Sequence, residues 1–220
     1  MIYFSIPFKS DKTTYHRDEL LTKCLMQLDS LEDQRFAVYI AYWGSDIFDW
    51  NIISKVRYSI NIVDCKHLFS FNNWQAHELI AKYVPDNGIF HPLDADMFIK
   101  EGYIELVYQK VSEGVMFSPV CYSLNEGKLI EIKGDKIFSD DANGWWRLGG
   151  CGNNAILKSD WARLELSNYV QKSWGKYDEE LLRRVQRIGV KIVREKCDKL
   201  FHLWHPNELE YKNRFFEQVK

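Results

Sequence analysis

The segment LDADMF, residues 93–98, places two aspartates one residue apart, directly after the apolar run IFHPL of residues 89–93. That run has the length of a buried strand. If the chain stays extended beyond it, Asp94 and Asp96 point to the same side, where their like charges repel. A divalent cation relieves such repulsion by binding carboxylate oxygens. An isolated pair of this kind is otherwise more typical of two solvated aspartates in a turn.

Apolar runs of strand length alternate with helical patterns on the amino-terminal side of this segment. The predicted elements are strands at residues 2–8, 36–42 and 58–63, and helices at residues 19–31 and from Asn72 or Asn73 to Val84. Continuously apolar strands separated by helices predict an α/β fold with a mostly parallel central sheet flanked by helices. Ligands bind at the carboxyl ends of such strands. Asp46, Asp64 and the Asp94/Asp96 pair all follow a predicted strand.

The carboxyl-terminal half has a looser pattern. Its predicted elements are strands at 115–122 and 128–132, a glycine-rich stretch at 149–156, a helix at 179–187 and a strand at 190–193. Asp178 falls at the start of the helix, where the helix dipole favours a carboxylate without any catalysis. Glycines such as Gly150 allow the backbone to approach a ligand, or merely let a strand bend. Neither feature identifies a site by itself.

Two histidines lie in the apolar and aromatic segment FHLWHP, residues 201–206. Imidazole suits Mn²⁺ and similar metals beside carboxylate oxygens, and a purely structural role is about equally consistent with the pattern. On a strand, positions three residues apart face opposite sides. Only one of His202 and His205 is therefore expected to bind a metal.

The composition excludes several classes of protein. Lys and Arg number 29 against 31 Asp and Glu, so the formal net charge of -2 provides no overall basic field for nucleic-acid binding. The five cysteines form no C-x-x-C pair, which argues against a disulfide framework or a zinc ribbon. Neither a signal peptide nor an apolar run of bilayer length is evident. The expectation is a cytoplasmic protein that is at most peripheral to the inner face of the membrane.

Taken together and in this order, the segments resemble a GT-A-fold glycosyltransferase of the family-2-like group of nucleotide-sugar enzymes. The second half resembles the carboxyl-terminal module of galactosyltransferases, chondroitin-type polymerases and polypeptide GalNAc-transferases. The resemblance covers nearly the whole chain. Its matching segments are IYFSIPF at 2–8, GSD at 44–46, FNNW at 71–74, DAD at 94–96, GCGNNAI at 150–156, WGKYDEEL at 174–181 and HLWHP at 202–206.

The chain departs from the family pattern at several positions. Tyr42 and Trp43 replace the paired acids that usually precede Gly-Ser, so a base-binding aspartate is missing there and Asp64 is the candidate substitute. Tyr177 replaces the first acid of the usual Glu-Asp pair and leaves Asp178 aligned with the second. These departures leave room for a member of the fold that binds carbohydrate or nucleotide sugar without catalysing transfer.

The resemblance implies a role for each site residue. The expected donor-binding residues are Pro7, Asp46, Asp64, Asn73, Asp94 and Asp96. The acceptor would contact Trp146, Gly150 and Trp174, and Asp178 would be the catalytic general base. A bound Mn²⁺, or Mg²⁺, would be held principally by Asp96, with Asp94 contacting the metal or the donor ribose. His202 would be the third protein ligand, and His205 is the second choice for that place. Residues 140–146 are expected to form a lid over the acceptor or a surface turn, with no preference between the two.

The implied protein is a single GT-A catalytic domain over residues 1–220, with a nucleotide-sugar-binding half at 1–98 and an acceptor-binding half at 99–220. Its expected reaction is metal-dependent, inverting transfer of a hexose or N-acetylhexosamine from a UDP-sugar to a hydroxyl of a saccharide or glycolipid. The expected setting is the synthesis of surface polysaccharide or glycoconjugate. A sugar-nucleotide pyrophosphorylase is disfavoured because residues 7–11, directly after the first strand, contain no glycine for a phosphate loop. The sequence does not address the oligomeric state.

Overall fold

The structure is a computed structural model that describes residues 1–10, 17–44, 48–66, 71–126, 144–168 and 176–205. Its strands are β1 Ile2–Lys9, β2 Phe36–Trp43, β3 Ile60–Asp64, β4 Ile89–Pro92, β5 Met97–Ile99, β6 Val115–Phe117, β7 Val120–Leu124, β8 Gly144–Trp146, β9 Ile156–Leu157, β10 Lys191–Val193 and β11 Lys196–His202. Its α-helices are α1 Arg17–Ser30, α2 Asn73–Ala81, α3 Tyr103–Lys110, α4 Lys158–Ala162 and α5 Lys176–Arg187, and short 3-10 helices span Trp50–Lys55 and Leu166–Asn168.

The main sheet has five strands in the order β3-β2-β1-β4-β9. Strands β1 to β4 run parallel to their neighbours, and only the edge strand β9 is antiparallel. This confirms the predicted α/β fold with a mostly parallel sheet. The strand order reverses between β1 and β4, and such a reversal opens a ligand-binding crevice at the carboxyl ends of the strands. Asp94 and Asp96 follow β4 at this position.

The two faces of the main sheet pack into two separate apolar clusters. Phe4 and Val38 belong to one cluster, and their strand neighbours Tyr3 and Tyr39 contact the other. Since side chains alternate between the faces of a strand, each face of β1 and β2 is covered by apolar residues. This double coverage explains why the strands read as continuous apolar runs.

The predicted helix boundaries agree with the structure to within a few residues. Asn72 caps α2, because its side-chain oxygen accepts hydrogen bonds from the amides of Trp74 and Gln75. Helix α5 starts at Lys176, which puts Asp178 in its first turn, as predicted. None of the helices in the described ranges is long and apolar enough to cross a membrane.

The predicted strand at residues 115–122 is in fact two strands, β6 and β7, that belong to different sheets. Pro119 has no amide hydrogen to donate, and the chain leaves β6 at Ser118, whose amide donates to Val193 O at 2.9 Å. The strand predicted at 128–132 lies outside the described residues.

A second sheet of four strands, in the order β5-β11-β7-β8, lies beside the main sheet. Its register places His202 of β11 opposite Met97 of β5 on one side and Ser123 of β7 on the other. Ser123 in turn pairs with Trp145 of β8. One row across this sheet therefore joins the carboxyl-terminal histidine segment to the strand that directly follows Asp96.

Two neutral histidines are buried in the core beside β1. His91 hydrogen-bonds Pro92 O through Nδ1 at 2.7 Å and the Tyr103 hydroxyl through Nε2 at 2.8 Å, and His77 Nδ1 lies 2.8 Å from Ser5 Oγ. Burial lowers the pKa of His91 to about 4 and that of His77 to about 3. The carbonyl of Pro92 fixes the proton of His91 on Nδ1, so the neutral ring accepts from Tyr103 at Nε2.

We expect the free energy of unfolding to fall as the pH drops from about 6.5 towards 4. In this range the two histidines bind protons in the unfolded chain but stay neutral in the folded core. The stability due to the neutral rings is complete above pH 6.5. Each histidine accounts for about 1.4 kcal/mol per pH unit once the pH is well below 6.5. Urea unfolding at several pH values measures this fall in the free energy of unfolding. In His91→Gln the free energy should fall less steeply with pH than in the unchanged protein, by about the contribution of one histidine. An unchanged slope in that variant would contradict the assignment.

Candidate functional site

Asp96 and two histidines form a compact cluster at the carboxyl edge of the main sheet. Asp96 Oδ2 lies 3.3 Å from His202 Nε2 and 3.2 Å from His205 Nε2. One ligand atom from each of the three residues lies within 4.8 Å of the others, which is close enough for one ion to contact all three. The other carboxylate oxygen, Asp96 Oδ1, is buried and has no hydrogen-bond partner within the described ranges. A buried oxygen of this kind requires a partner.

The second sheet holds this cluster together. Strand β5 follows Asp96 and pairs antiparallel with β11, and the amide of Leu203 donates to Asp96 O at 2.8 Å. Ser123 Oγ and His202 Nδ1 are hydrogen-bonded at 3.1 Å. Because this contact occupies Nδ1, the ring presents Nε2 to Asp96.

The structure brings both histidines to Asp96, contrary to the expectation that only one would reach it. That expectation assumed an extended strand through His205. Strand β11 ends at His202, and residues 203–205 continue without strand geometry. The chain therefore turns enough to place the second ring 5.2 Å from the first, centroid to centroid.

Asp94 occupies a different environment from Asp96. Its amide donates to Asn153 Oδ1 at 2.9 Å, and Asn153 Nδ2 donates to Asp94 Oδ2 at 3.1 Å. Burial and the nearby charge of Asp96 raise the pKa of Asp94 to about 6. Burial acts in the same direction on Asp96, but the two imidazoles outweigh it and lower the pKa of that carboxyl. Asp94 is not one of the three residues in the 4.8 Å cluster.

Asp178 approaches Asp94 across the glycine-rich segment. The amide of Cys151 donates to Asp178 Oδ2 at 3.1 Å. A Cβ atom on Gly152 would lie 3.7 Å from Asp178 Oδ1 and 3.8 Å from Asp94 Oδ2, and one on Gly150 would lie 3.1 Å from Asp178 Oδ2. Gly150 also has φ +76°, a backbone conformation that favours glycine. The glycine backbone thus lies against two carboxylates that come from opposite halves of the chain, with no side chain of its own beside them.

Asp178 is protonated more readily in the protein than an aspartate exposed to water would be. Burial raises the pKa of Asp178. The amide of Cys151 and the charges of Arg147 and Arg194 oppose this rise, but burial prevails. The group therefore takes up a proton more readily than an exposed aspartate, which is a property suited to a general base.

The remaining predicted donor residues lie along the carboxyl edge of the main sheet or outside the described residues. Pro7 is buried on β1, and Asp64 ends β3, where its exposed carboxylate accepts from the amide of Lys66 at 2.9 Å. Asn73 is the first residue of α2, directly after the cap. Asp46, like the acceptor candidate Trp174, falls outside the described residues.

The two tryptophans of β8 face opposite sides of the second sheet. Trp146 packs edge-on against Tyr122 with ring centroids 5.2 Å apart, whereas Trp145 pairs with Ser123 on the face that holds His202. The structure thus puts Trp145, rather than the predicted acceptor residue Trp146, on the face of the carboxylates. Of the segment 140–146, expected to be a lid or a surface turn, residues 140–143 lie outside the described residues and residues 144–146 form strand β8.

Four residues of this site were not predicted: Ser123, Trp145, Arg147 and Asn153. Asn153 lies in the glycine-rich segment that the sequence analysis identifies. Its side chain carries both a donor and an acceptor, which could have marked it as a partner for a carboxylate. Ser123 had no such signal, because its contact with His202 spans 79 residues.

Comparison with known proteins identifies the fold. The chain is 21% identical over 195 residues to chondroitin sulfate N-acetylgalactosaminyltransferase 2 of Mus musculus, covering 79% of this chain and 35% of that protein. The chain thus spans about a third of the length of this curated relative. No protein-family model matches the chain.

Solved structures share the fold of this chain. S. aureus TarS residues 1–349 in complex with UDP-GlcNAc superposes with a TM-score of 0.61 at 13% identity, covering 94% of this chain and 60% of that one. The galactosyltransferase LgtC, in complex with donor and acceptor sugar analogues, superposes with a TM-score of 0.55 at 12% identity, covering 99% and 95%. The chain has the GT-A fold, and the proteins it resembles are enzymes of the glycosyltransferase type.

Proposed function

We propose that this protein transfers a sugar from a nucleoside-diphosphate sugar to an acceptor hydroxyl with the help of a divalent cation. The observation that carries the proposal is the Asp96, His202 and His205 cluster, at the point where the strand order of a GT-A sheet reverses. The first half of the chain, residues 1–98, would bind the donor, and residues 99–220 would bind the acceptor. We propose a single catalytic domain because the site draws side chains from both halves.

The residues present fit Mn²⁺ or Mg²⁺. Asp96 supplies a carboxylate, and its buried Oδ1 has no partner among the described residues. His202 and His205 supply imidazole nitrogens, and a mixed set of nitrogen and carboxylate ligands favours Mn²⁺ over Mg²⁺. When bound, the cation would act as a Lewis acid that neutralises the charge of the leaving diphosphate. Asp94 lies next to this cluster, held by Asn153, and we propose that it contacts the same ion or the donor ribose.

The donor would lie along the carboxyl edge of the main sheet. Asp64 at the end of β3 is separated from the β4 edge by three strand spacings, about 14 Å. A nucleoside diphosphate has a comparable length, so its base would reach Asp64 while its phosphates lie at Asp96. Pro7 and Asn73 would line the path between them. Solved complexes of TarS with UDP and with UDP-GlcNAc support a UDP-sugar as the donor.

Asp178 would act as the general base of an inverting displacement. The acceptor oxygen forms a bond to the anomeric carbon, the bond from that carbon to the diphosphate oxygen breaks, and the hydroxyl proton passes to Asp178. Gly150 and Gly152 put no side chain beside Asp178 and Asp94, and we propose that the acceptor hydroxyl approaches Asp178 there. Saccharides and glycolipids are the acceptor classes that we propose, in the synthesis of a polysaccharide or another glycoconjugate, which is consistent with the chondroitin-related name of the curated relative.

A screen of UDP-sugars by thermal shift, with Mn²⁺ or with a chelator, tests this proposal. A ligand that binds only the folded state stabilises it by about 2.7 kcal/mol at a concentration one hundred times its Kd. We expect one UDP-sugar to raise the melting temperature in Mn²⁺ and the effect to vanish with EDTA. The absence of any shift across UDP-, GDP- and TDP-sugars would overturn donor binding.

A non-catalytic binding protein of the same fold is the alternative, and one observation favours it. Tyr177 replaces an acidic residue of the related enzymes and is buried against Trp74, with ring centroids 6.2 Å apart. Release of UDP from the stabilising UDP-sugar distinguishes the two functions, because a binding protein shifts the melting temperature without producing UDP.

A further inference from the structure

Trp145 and Arg147 extend the site beyond its carboxylates. Trp145 pairs with Ser123, whose own partner is His202, so the three side chains lie on one face of the second sheet. The amide of Arg147 donates to Cys121 O at 3.0 Å, which continues the β7–β8 ladder by one residue and puts Arg147 on the same face as Trp145. The Trp145 side chain is 53% exposed on that face.

The register of the second sheet places Arg147 beside Cys121 of β7, on the face that carries Ser123 and His202. The charge of Arg147 lowers the pKa values of Cys121 and Asp178, against the rise that burial causes in each. Arg147 therefore acts electrostatically on the proposed general base.

Arg147 has no ion pair and donates no side-chain hydrogen bond in the part of the chain that the structure describes. The carboxylates of Asp94 and Asp178 have other donors, since Asn153 Nδ2 donates to Asp94 and the Cys151 amide donates to Asp178. Arg147 itself is exposed, so its planar donor fork is available to a ligand. The site thus combines a solvent-exposed guanidinium with an exposed indole ring on one face of the second sheet.

The backbone that carries Arg147 is held in place from its far side. Arg194 Nη2 donates to Leu148 O at 2.7 Å, and Arg194 Nη1 donates to Ser118 Oγ at 2.8 Å. The amide of Leu148 also donates to Trp146 O at 3.0 Å. Arg194 therefore fixes the segment, whereas the Arg147 guanidinium has no such partner among the described residues.

We propose that Trp145 and Arg147 form a subsite for an acceptor that carries an anionic group, a sugar carboxylate or a phosphate. The indole covers the apolar face of the acceptor ring, and the guanidinium binds the anion through paired N–H donors. The inference rests on the proposed function, because it assigns the acceptor class of the same site. In the proposed function a cation at Asp96 would neutralise the donor diphosphate, and we therefore assign the charge of Arg147 to the acceptor.

Calorimetric binding of matched probes to the full chain, saturated with UDP and Mn²⁺, tests this inference. One pair is p-nitrophenyl β-D-glucuronide against p-nitrophenyl β-D-glucoside, and the other is glucose 6-phosphate against glucose. We expect the acid of one pair to bind about tenfold or more tightly than its neutral partner, which is the effect of one charge-assisted contact. The pair that shows the preference identifies the anion as carboxylate or phosphate.

Arg147→Gln should remove the preference for the acidic probe while leaving the affinity for UDP unchanged. Lys196→Gln is the matched control, because it removes the same charge on the opposite face of the sheet, where Lys196 Nζ lies 5.4 Å from the Trp146 ring centroid. The control should keep the preference. Trp145→Ala should weaken the acid and the neutral probe of a pair by a similar factor, since the ring contacts the sugar and not the anion.

Two results would overturn the inference while leaving the proposed function intact. In the first, UDP binds normally and acidic and neutral probes bind equally well. In the second, Arg147→Gln weakens UDP binding in the absence of any probe, which would assign Arg147 to the donor. A preference for the acid in a protein that binds no UDP would uphold the anionic subsite and overturn the glycosyltransferase proposal.

Discussion

Asp96→Asn is expected to abolish Mn²⁺ binding and to reduce sugar transfer to background. The substitution keeps the shape of the side chain but removes the charge between the two imidazoles and replaces an oxygen that lies 3.3 and 3.2 Å from them. Loss of a residue that only orients a metal ligand costs about 10- to 100-fold in affinity, so loss of a ligand should exceed about 100-fold. Calorimetric titration with Mn²⁺ measures the first effect, and UDP release measures the second.

Asp86→Asn is the matched control for this experiment. The Asp86 carboxylate forms a 3.7 Å ion pair with Lys158, and its side chain is 86% exposed. An exposed pair of this kind contributes little to stability, so the control should bind Mn²⁺ and transfer sugar like the unchanged protein. Circular dichroism establishes that both variants are folded. Undiminished Mn²⁺ binding by folded Asp96→Asn would remove the metal assignment.

Asp178→Asn is expected to reduce kcat by about 10²- to 10⁴-fold, which is the usual contribution of a general base. An amide cannot take up the proton of the acceptor hydroxyl. The affinity for UDP-sugar should stay within about twofold, because Asp178 lies against Gly150 and Gly152 and is not part of the Asp96 cluster. Single-turnover transfer and equilibrium donor binding separate the two effects.

Glu179→Gln provides the control on the same helix. Glu179 is the next residue, and its carboxylate accepts from Lys176 Nζ at 2.7 Å on the exposed side of α5. Replacing Glu179 removes the same charge from the first turn of α5 and leaves Asp178 in place beside Gly150. A fall in donor affinity with kcat preserved in Asp178→Asn would point to a binding role, and equal losses in both variants would point to the helix terminus.

The patterns that were predicted correctly are those that report burial within one element. Apolar clusters cover both faces of strands β1, β2 and β4. Each of these strands is therefore a continuous run of apolar residues, which is visible in the sequence. Asn72 caps α2 because its side-chain oxygen accepts a hydrogen bond from the amide of Trp74, two residues further on. The signal for this cap is therefore local in the sequence. Asp96, His202 and Asp178 were named from their motifs, and the structure brings the first two into contact.

The features that were missed depend on pairing between distant segments. Strand β11 is an inner strand of the second sheet, between β5 and β7. Its pairing with these two strands joins residues about 80 to 100 positions apart in the sequence. The contact between Asp94 and Asn153 likewise spans 59 residues. Nothing within either segment fixes such a register, because it follows from how the two sheets pack.

The sequence by itself determined the α/β architecture and the residue types of the site, since apolar periodicity and short motifs are properties of contiguous residues. Tertiary structure alone decided that both histidines reach Asp96, that Ser123 orients one of them, and that Trp145 and not Trp146 faces the carboxylates. Each of these outcomes depends on where β11 ends or on which residue pairs across β7 and β8. A shift of one residue in that pairing would turn every side chain to the opposite face, and only the packed sheet sets it.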